Sequence, residues 1–221
     1  MLLSHKDITD VVNVPHATLA FVMPLLKTHL MELSDNDKYK RFFTPITEDA
    51  INKYLSGITL DGRGDAVFVV YNSTGTKVVG FTHVAVTGVN ETRSAEVALS
   101  VSGDYRNRHI GIDMLERAIL HCTSLGIRRM FMNCLTTNVP MQQMAKKLGM
   151  EVITDFSEST AHLEIAQGRI PAAIAEAITA DRLALYDLSC RQMVNAVCST
   201  MVAYMTPPIF GYKGAHHQEN K

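Results

Sequence analysis

Residues 66–71, Ala-Val-Phe-Val-Val-Tyr, constrain this chain more than any other segment. They are apolar without a break, rich in β-branched side chains and too short for a helix, so they read as a buried strand. Asn72-Ser73-Thr74-Gly75 is turn chemistry, and 77–86 supplies the partner strand of a hairpin. A second turn over 87–92 leads to a third strand over 95–101. A loop over 103–111 then feeds an amphipathic helix over 112–125 that closes at Gly126. A strand over 128–134, a helix over 140–148 closing at Gly149, and a strand pair over 151–156 and 160–165 complete the pattern. A meander followed by a strand–helix–strand crossover predicts a mixed, mostly antiparallel sheet, parallel only at the crossover, flanked by helices in an α/β (α+β) fold.

Ahead of the sheet, 17–31 predicts an apolar helix, with Leu19, Val22, Met23, Leu26 and Leu30 at helical spacing. Pro24 inside it predicts a kink or a late start. Residues 34–40 read as a polar connection. A short helix is expected over 47–55, with Glu48 and Asp49 where the helix dipole favours negative charge. After the sheet, 168–205 is helical in pattern from Pro171 onward, with Val194, Val197, Met201 and Met205 on one face. The expected organisation is a domain over 1–167, a helical extension over 168–210 and a disordered tail over 211–221.

Charge narrows the partners. The 221 residues carry 21 Lys+Arg against 22 Asp+Glu, without the basic excess that nucleic-acid binding usually shows. Only 19% of residues are charged, against about 25% in ordinary globular chains. The deficit concentrates between Arg191 and Lys213, where no charge occurs. An apolar helical face of that kind predicts an interface, so a homodimer through the C-terminal helices, or closure over the acceptor side of the sheet, is expected. No run reaches the ~18 apolar residues of a membrane span. Residues 1–10 lack the apolar core of a signal peptide. Cys122, Cys134, Cys190 and Cys198 form no CxxC pair and have no His at zinc spacing, so they read as reduced, buried thiols in a cytoplasmic protein with no bound metal. His83 reads as a satisfied sheet residue.

The chemistry concentrates in Tyr105-Arg106-Asn107-Arg108-His109-Ile110-Gly111-Ile112, between a strand and a helix. A loop feeding a helix N-terminus offers unpaired N–H groups and the positive end of a dipole, which suits a phosphate; Arg106, Arg108 and His109 add charge there. Alone, R-x-R-x-x-G reads as a solvated basic turn. In context it resembles the acyl-CoA pyrophosphate loop of the GNAT (Gcn5-related N-acetyltransferase) superfamily, Arg/Gln-x-x-Gly-x-Gly/Ala. Arg106 and Gly111 match, His109 stands at the usual first glycine, and Asn107 stands where glycine is common. Residues 138–150, from Asn138 to the Leu148-Gly149-Met150 ending, resemble the family's second cofactor motif. Leu33-Ser34 followed by Arg41-Phe42-Phe43 is similar to the opening of its protein-acetyltransferase branch.

The resemblance implies acetyl-CoA as co-substrate and an amine acceptor, either protein lysine or a small amine, acetylated by direct attack in a ternary complex. It assigns the cofactor to Leu99, Ser100, Val101, Arg106, Asn107, Arg108, His109, Ile110, Gly111, Ile112 and Asn138. Leu99 and Val101 act through backbone groups that bond the pantetheine amides. For Asn138, the residue itself also allows simple helix capping. Glu96, in Ala95-Glu96-Val97-Ala98, falls on the family's general base. A carboxylate in an apolar strand otherwise implies an ion pair with a cation. Ala145 stands where many members carry the Tyr that protonates the departing thiolate, which leaves that acid unassigned. The missing Tyr and the replaced glycine also fit an alternative, a catalytically inactive acyl-CoA-binding sensor.

Overall fold

A computed structural model of the chain describes residues 8–60, 62, 64–89 and 92–165. The helical extension, the tail, the predicted dimer surface, Cys190 and Cys198 lie outside the described residues.

Five helices and a seven-stranded sheet make up this part: β1 (Val12–Asn13), α1 (His16–Glu32), α2 (Asp35–Phe42), α3 (Glu48–Ser56), β2 (Ala66–Tyr71), β3 (Val78–Thr87), β4 (Ser94–Val101), α4 (Ile110–Ser124), β5 (Arg129–Leu135), α5 (Val139–Lys147), β6 (Glu151–Asp155) and β7 (Glu158–Glu164). The strand order is β1-β2-β3-β4-β5-β7-β6, antiparallel except where β4 meets β5. The mixed sheet expected from the pattern is therefore present, with β7 rather than β6 inserted beside β5.

Side-chain alternation sorts the sheet into two covered faces. Ala66, Phe68 and Val70 join Ala95, Val97 and Leu99 in the cluster that packs against Ile110, Met114, Leu115, Ala118 and Cys122 of α4. Val67, Val69 and Tyr71 point the other way and are equally buried. On that side α1 packs over β3, and the His29 ring meets the edge of Phe81 at 6.5 Å. Burial on both sides explains why β2 has no polar residue. The Cys122 thiol lies in the α4 core, where burial pushes its pKa up to about 12; that of Cys134 is raised for the same reason. Both are thus poor nucleophiles.

Three local expectations change. The first helix begins at His16 and runs through Pro24 to Glu32 without a late start. Pro24 and Ala20 are both exposed, so the Ala20 carbonyl that loses its helical donor remains within reach of water. The polar connection is instead a helix, α2. Ser34 caps it by accepting from the Asp37 N–H, Asp35 and Asp37 occupy its first turn, and Lys40 and Arg41 its last. Phe43, left-handed at φ 62°, ends it. None of its residues is buried, so it has no apolar stripe for periodicity to reveal. Finally, β1 is a two-residue strand paired to Val69 and Phe68 of β2, a length at which alternation carries no signal.

Candidate active site

The site arises where two strands part. β4 and β5 pair at Ser94–Arg129, Ala95–Met130 and Glu96–Phe131 and no further. Beyond this fork a cleft of about 720 Å³ opens, lined by Leu99, Ser100 and Val101 of β4, the loop and first turn of α4, the start of α5, and α2. Of the residues assigned to the cofactor, all but Arg108 line it. Arg108 instead donates to the Asp104 carbonyl and lies 5.2 Å from the centre of the Tyr105 ring.

The loop keeps a glycine-type backbone without glycine. Asn107 and His109 adopt φ 59° and 67°, a region that non-glycine residues enter rarely and that Asn and His tolerate better than most. The helix starts two residues earlier than its periodicity suggests, with His109 at the N-cap and Ile110 as first residue. Its first intrahelical bond is donated by the Asp113 N–H to His109 O, so the amides of Ile110, Gly111 and Ile112 precede the ladder at the positive end of the dipole. A Cβ on Gly111 would come within 3.1 Å of Met144 Sδ, so the missing side chain lets α4 and α5 approach. We expect His109→Gly to leave the thermal midpoint within a few degrees. His109→Val, β-branched at positive φ, should lower stability by about 1–2 kcal/mol in urea melts; equal midpoints for the two variants would exclude backbone strain at this position.

Asn138 precedes α5, and its side chain makes no capping hydrogen bond; its carbonyl accepts from Met141 and Gln142, and its backbone N–H donates to the Leu135 carbonyl. The capping alternative therefore does not apply, and Asn138 is among the residues that line the cleft. Arg106 is held back along β4. It donates from Nε and Nη2 to the Val101 carbonyl, each at 3.3 Å, and pairs with Asp37 of α2 at 2.8 Å. Burial alone would raise the Asp37 carboxyl, but hydrogen bonds from Arg106 and Ser34 outweigh it and hold it below its ordinary value. Lys40, Arg41, Arg106 and Lys147 face the cleft against one carboxylate, Asp37. A chain of net charge −1 thus concentrates positive potential at one place, as a polyanionic ligand requires.

Glu96 sits at the fork itself, in the last β4–β5 pair. It is exposed, and among the described residues it forms no ion pair. Its partner is Asn133, whose Nδ2–H donates to Oε1 at 3.3 Å, while Asn133 Oδ1 accepts from Thr160 at 3.0 Å. Ala145 is fully buried in the α4–α5 core and supplies no acid to the cleft.

Sequence reasoning missed two groups. α2 contributes Asp37, Lys40 and Arg41; its signal was the Ser34-x-x-Asp37 cap with acidic residues first and basic residues last. The other is His29, buried on α1. Its Nδ1–H donates to Val78 O at 3.2 Å and to Ser102 Oγ at 3.2 Å, and Nε2 accepts from the Ser100 hydroxyl at 2.9 Å. This imidazole ties the cleft segment of β4 to α1, and nothing in its spacing distinguishes it from a core residue.

Comparison with known proteins agrees with this fold. A family model described as Acetyltransferase (GNAT) domain matches residues 24–151, more than half of the chain. The GNAT domain of S. lividans PAT superposes with a TM-score of 0.57 at 19% identity, over 70% of this chain and 89% of that one. A GNAT superfamily phosphinothricin acetyltransferase from Sinorhizobium meliloti, solved in complex with acetyl-CoA, gives 0.54 at 18%, over 74% and 91%. The Salmonella typhimurium protein yncA, solved with its cofactor acetyl-CoA, gives 0.52 at 14%, over 74% and 96%. None of the curated proteins matches in sequence. With the family model running from α1 through strands β2 to β5 to the end of α5, the chain belongs to the GNAT family of acetyltransferases.

Proposed function

We propose that this protein transfers the acetyl group of acetyl-CoA to a primary amine by direct attack in a ternary complex, with Glu96 as the base. The observation that carries the reading is the fork: a carboxylate at the point where β4 and β5 part, beside a cleft lined by free helix amides and cationic side chains. Bound acetyl-CoA supplies a thioester carbonyl to attack and a thiolate to leave. The amides of Ile110, Gly111 and Ile112, with Arg106, hold its phosphates. The backbone of Leu99 and Val101 and the Asn138 amide hold its pantetheine arm. For the Val101 carbonyl to do so, Arg106 must exchange that carbonyl for a phosphate oxygen.

An amine with a lysine-like pKa near 10.4 is almost wholly protonated at neutral pH and must lose a proton before it attacks. In this reading Glu96 takes it, and its hydrogen bond to Asn133 supports that role by orienting the carboxylate.

Titration calorimetry with acetyl-CoA, paired with free-thiol release against mixed primary amines, tests the reading. Saturable binding, thiol release only when an amine is present, and no burst without one are expected. Binding with no release from any amine identifies an acyl-CoA sensor instead, and a burst without amine excludes direct attack.

A further inference from the structure

Arg41 of α2 lines the cleft with an incomplete set of partners among the described residues. Its Nη2–H donates to the Tyr54 hydroxyl at 2.8 Å, and its guanidinium lies 5.2 Å from the centre of the Phe42 ring and 5.4 Å from that of Tyr54. Among the described residues no carboxylate pairs with it. Its Nε is buried and has no hydrogen-bond partner.

The chain of bonds continues. Arginine only donates, so the Tyr54 oxygen accepts from Arg41 and its own proton goes to His83 Nδ1, 3.2 Å away. Burial, reinforced by the Arg41 charge, pushes the His83 pKa down to about 4. The imidazole is therefore neutral near pH 7, with its proton on Nε2. That nitrogen is also buried without a partner, so His83 is only half satisfied. Two orphan donors in one cluster, beside a full positive charge, are costly unless an acceptor arrives.

Register locates the cluster relative to the base. His83 pairs with Ala98 across β3 and β4, and Ala98 shares the face of Glu96, two residues along. The offset is about 7 Å along the strand and about 5 Å across. The α4 helix packs on the opposite face, through Ala95, Val97 and Leu99, so His83 lies on the side of the sheet away from α4, while Arg41 reaches the cleft that the α4 amides also line.

We propose that Arg41, backed by Tyr54 and His83, is a carboxylate subsite for the acceptor, and that the amine acetylated is a small, amino-acid-like molecule rather than an internal lysine of a protein. The acceptor identity rests on the acetyl-transfer reading above; the subsite itself does not. A guanidinium binds a carboxylate through charge-assisted, often bidentate hydrogen bonds. An interior lysine side chain brings no such group close to its amine.

The test uses matched acceptors differing only at the carboxylate: L-methionine, L-phenylalanine, L-glutamate and L-lysine against their α-amides and decarboxylated amines. Binding to the full chain saturated with CoA is measured by calorimetry, and thiol release from acetyl-CoA is measured in parallel. The wild type should favour the acid of at least one pair by about ten- to a hundred-fold. Arg41→Gln should bring that ratio near unity. Arg41→Lys, which keeps the charge and loses the fork, should give an intermediate ratio, and it provides a second reading should the glutamine variant fold poorly. Equal binding of acids and amides by the wild type, or an undiminished ratio in Arg41→Gln, overturns the subsite. So does turnover of a blocked lysine peptide without acidic residues when no amino acid binds. Acid-selective binding without thiol release from any amine leaves the subsite standing and removes the acetyl-transfer reading; release without acid preference does the reverse.

Discussion

Glu96→Gln is expected to lower turnover by about two to four orders of magnitude while acetyl-CoA binds as before. The substitution keeps the shape of the side chain and removes only its capacity to accept a proton. Because Glu96 is exposed and outside the apolar core, stability should change little, and loss of activity is not explained by unfolding. Glutamine still offers its carbonyl oxygen to Asn133, so the hydrogen bond at the fork survives. The deficit should appear in kcat and kcat/KM together, because proton removal contributes in the transition state rather than in binding. It should also depend on pH. Where a larger fraction of the amine is already neutral, the base matters less, and the variant should approach wild type toward pH 9. Turnover within threefold of wild type across pH 6–9 would remove Glu96 from the mechanism.

Acid should destabilise the fold well before its carboxylates titrate. Burial pushes the pKa of His29 and His83 down to about 4 and lowers that of His121 as well. In the unfolded chain these imidazoles titrate near 6.5. As pH falls below about 6.5, the unfolded chain therefore takes up protons that the folded chain refuses. Their contribution is complete above that value and is lost progressively down to about 4. Each unit separating the two pKa values corresponds to about 1.4 kcal/mol. His29 and His83 should thus each withdraw roughly 2–3 kcal/mol across this window, a large share of the 5–15 kcal/mol typical of a domain. Urea midpoints measured between pH 7 and 4.5 should fall steadily. A His29→Leu variant should start less stable, having stranded the Ser100 hydroxyl and the Val78 carbonyl, yet decline less steeply with acid. A midpoint independent of pH over this range would show that protonation of these sites is tolerated in the folded state. Because His29 holds Ser100, loss of acetyl-CoA binding should accompany the same transition.

Where periodicity was strong, the elements could be read directly. The unbroken apolar run of β2, the alternation along β4 and the apolar face of α4 each carry a local signal tied to burial. The loop before α4 was legible for another reason. Its basic and small residues, Arg106 through Gly111, are contiguous in the chain and lead straight into a helix N-terminus. α2 escaped because it buries nothing, and β1 because a two-residue strand exists only through its pairing with β2.

The succession of strands and helices from β2 onward and the residue types of the loop before α4 were determined by the sequence alone, since each depends on neighbours close along the chain. Tertiary structure decided what those groups do to one another. It turned Arg106 toward Asp37, left the Asn138 side chain free of its helix, and set Asn133 beside Glu96 where the ion-pair alternative required a cation. It also joined Arg41, Tyr54 and His83, from α2, α3 and β3, into a single cluster with two unanswered donors. Hydrogen bonding between side chains far apart in the chain depends on distances of a few ångström, which spacing along a strand or helix does not encode.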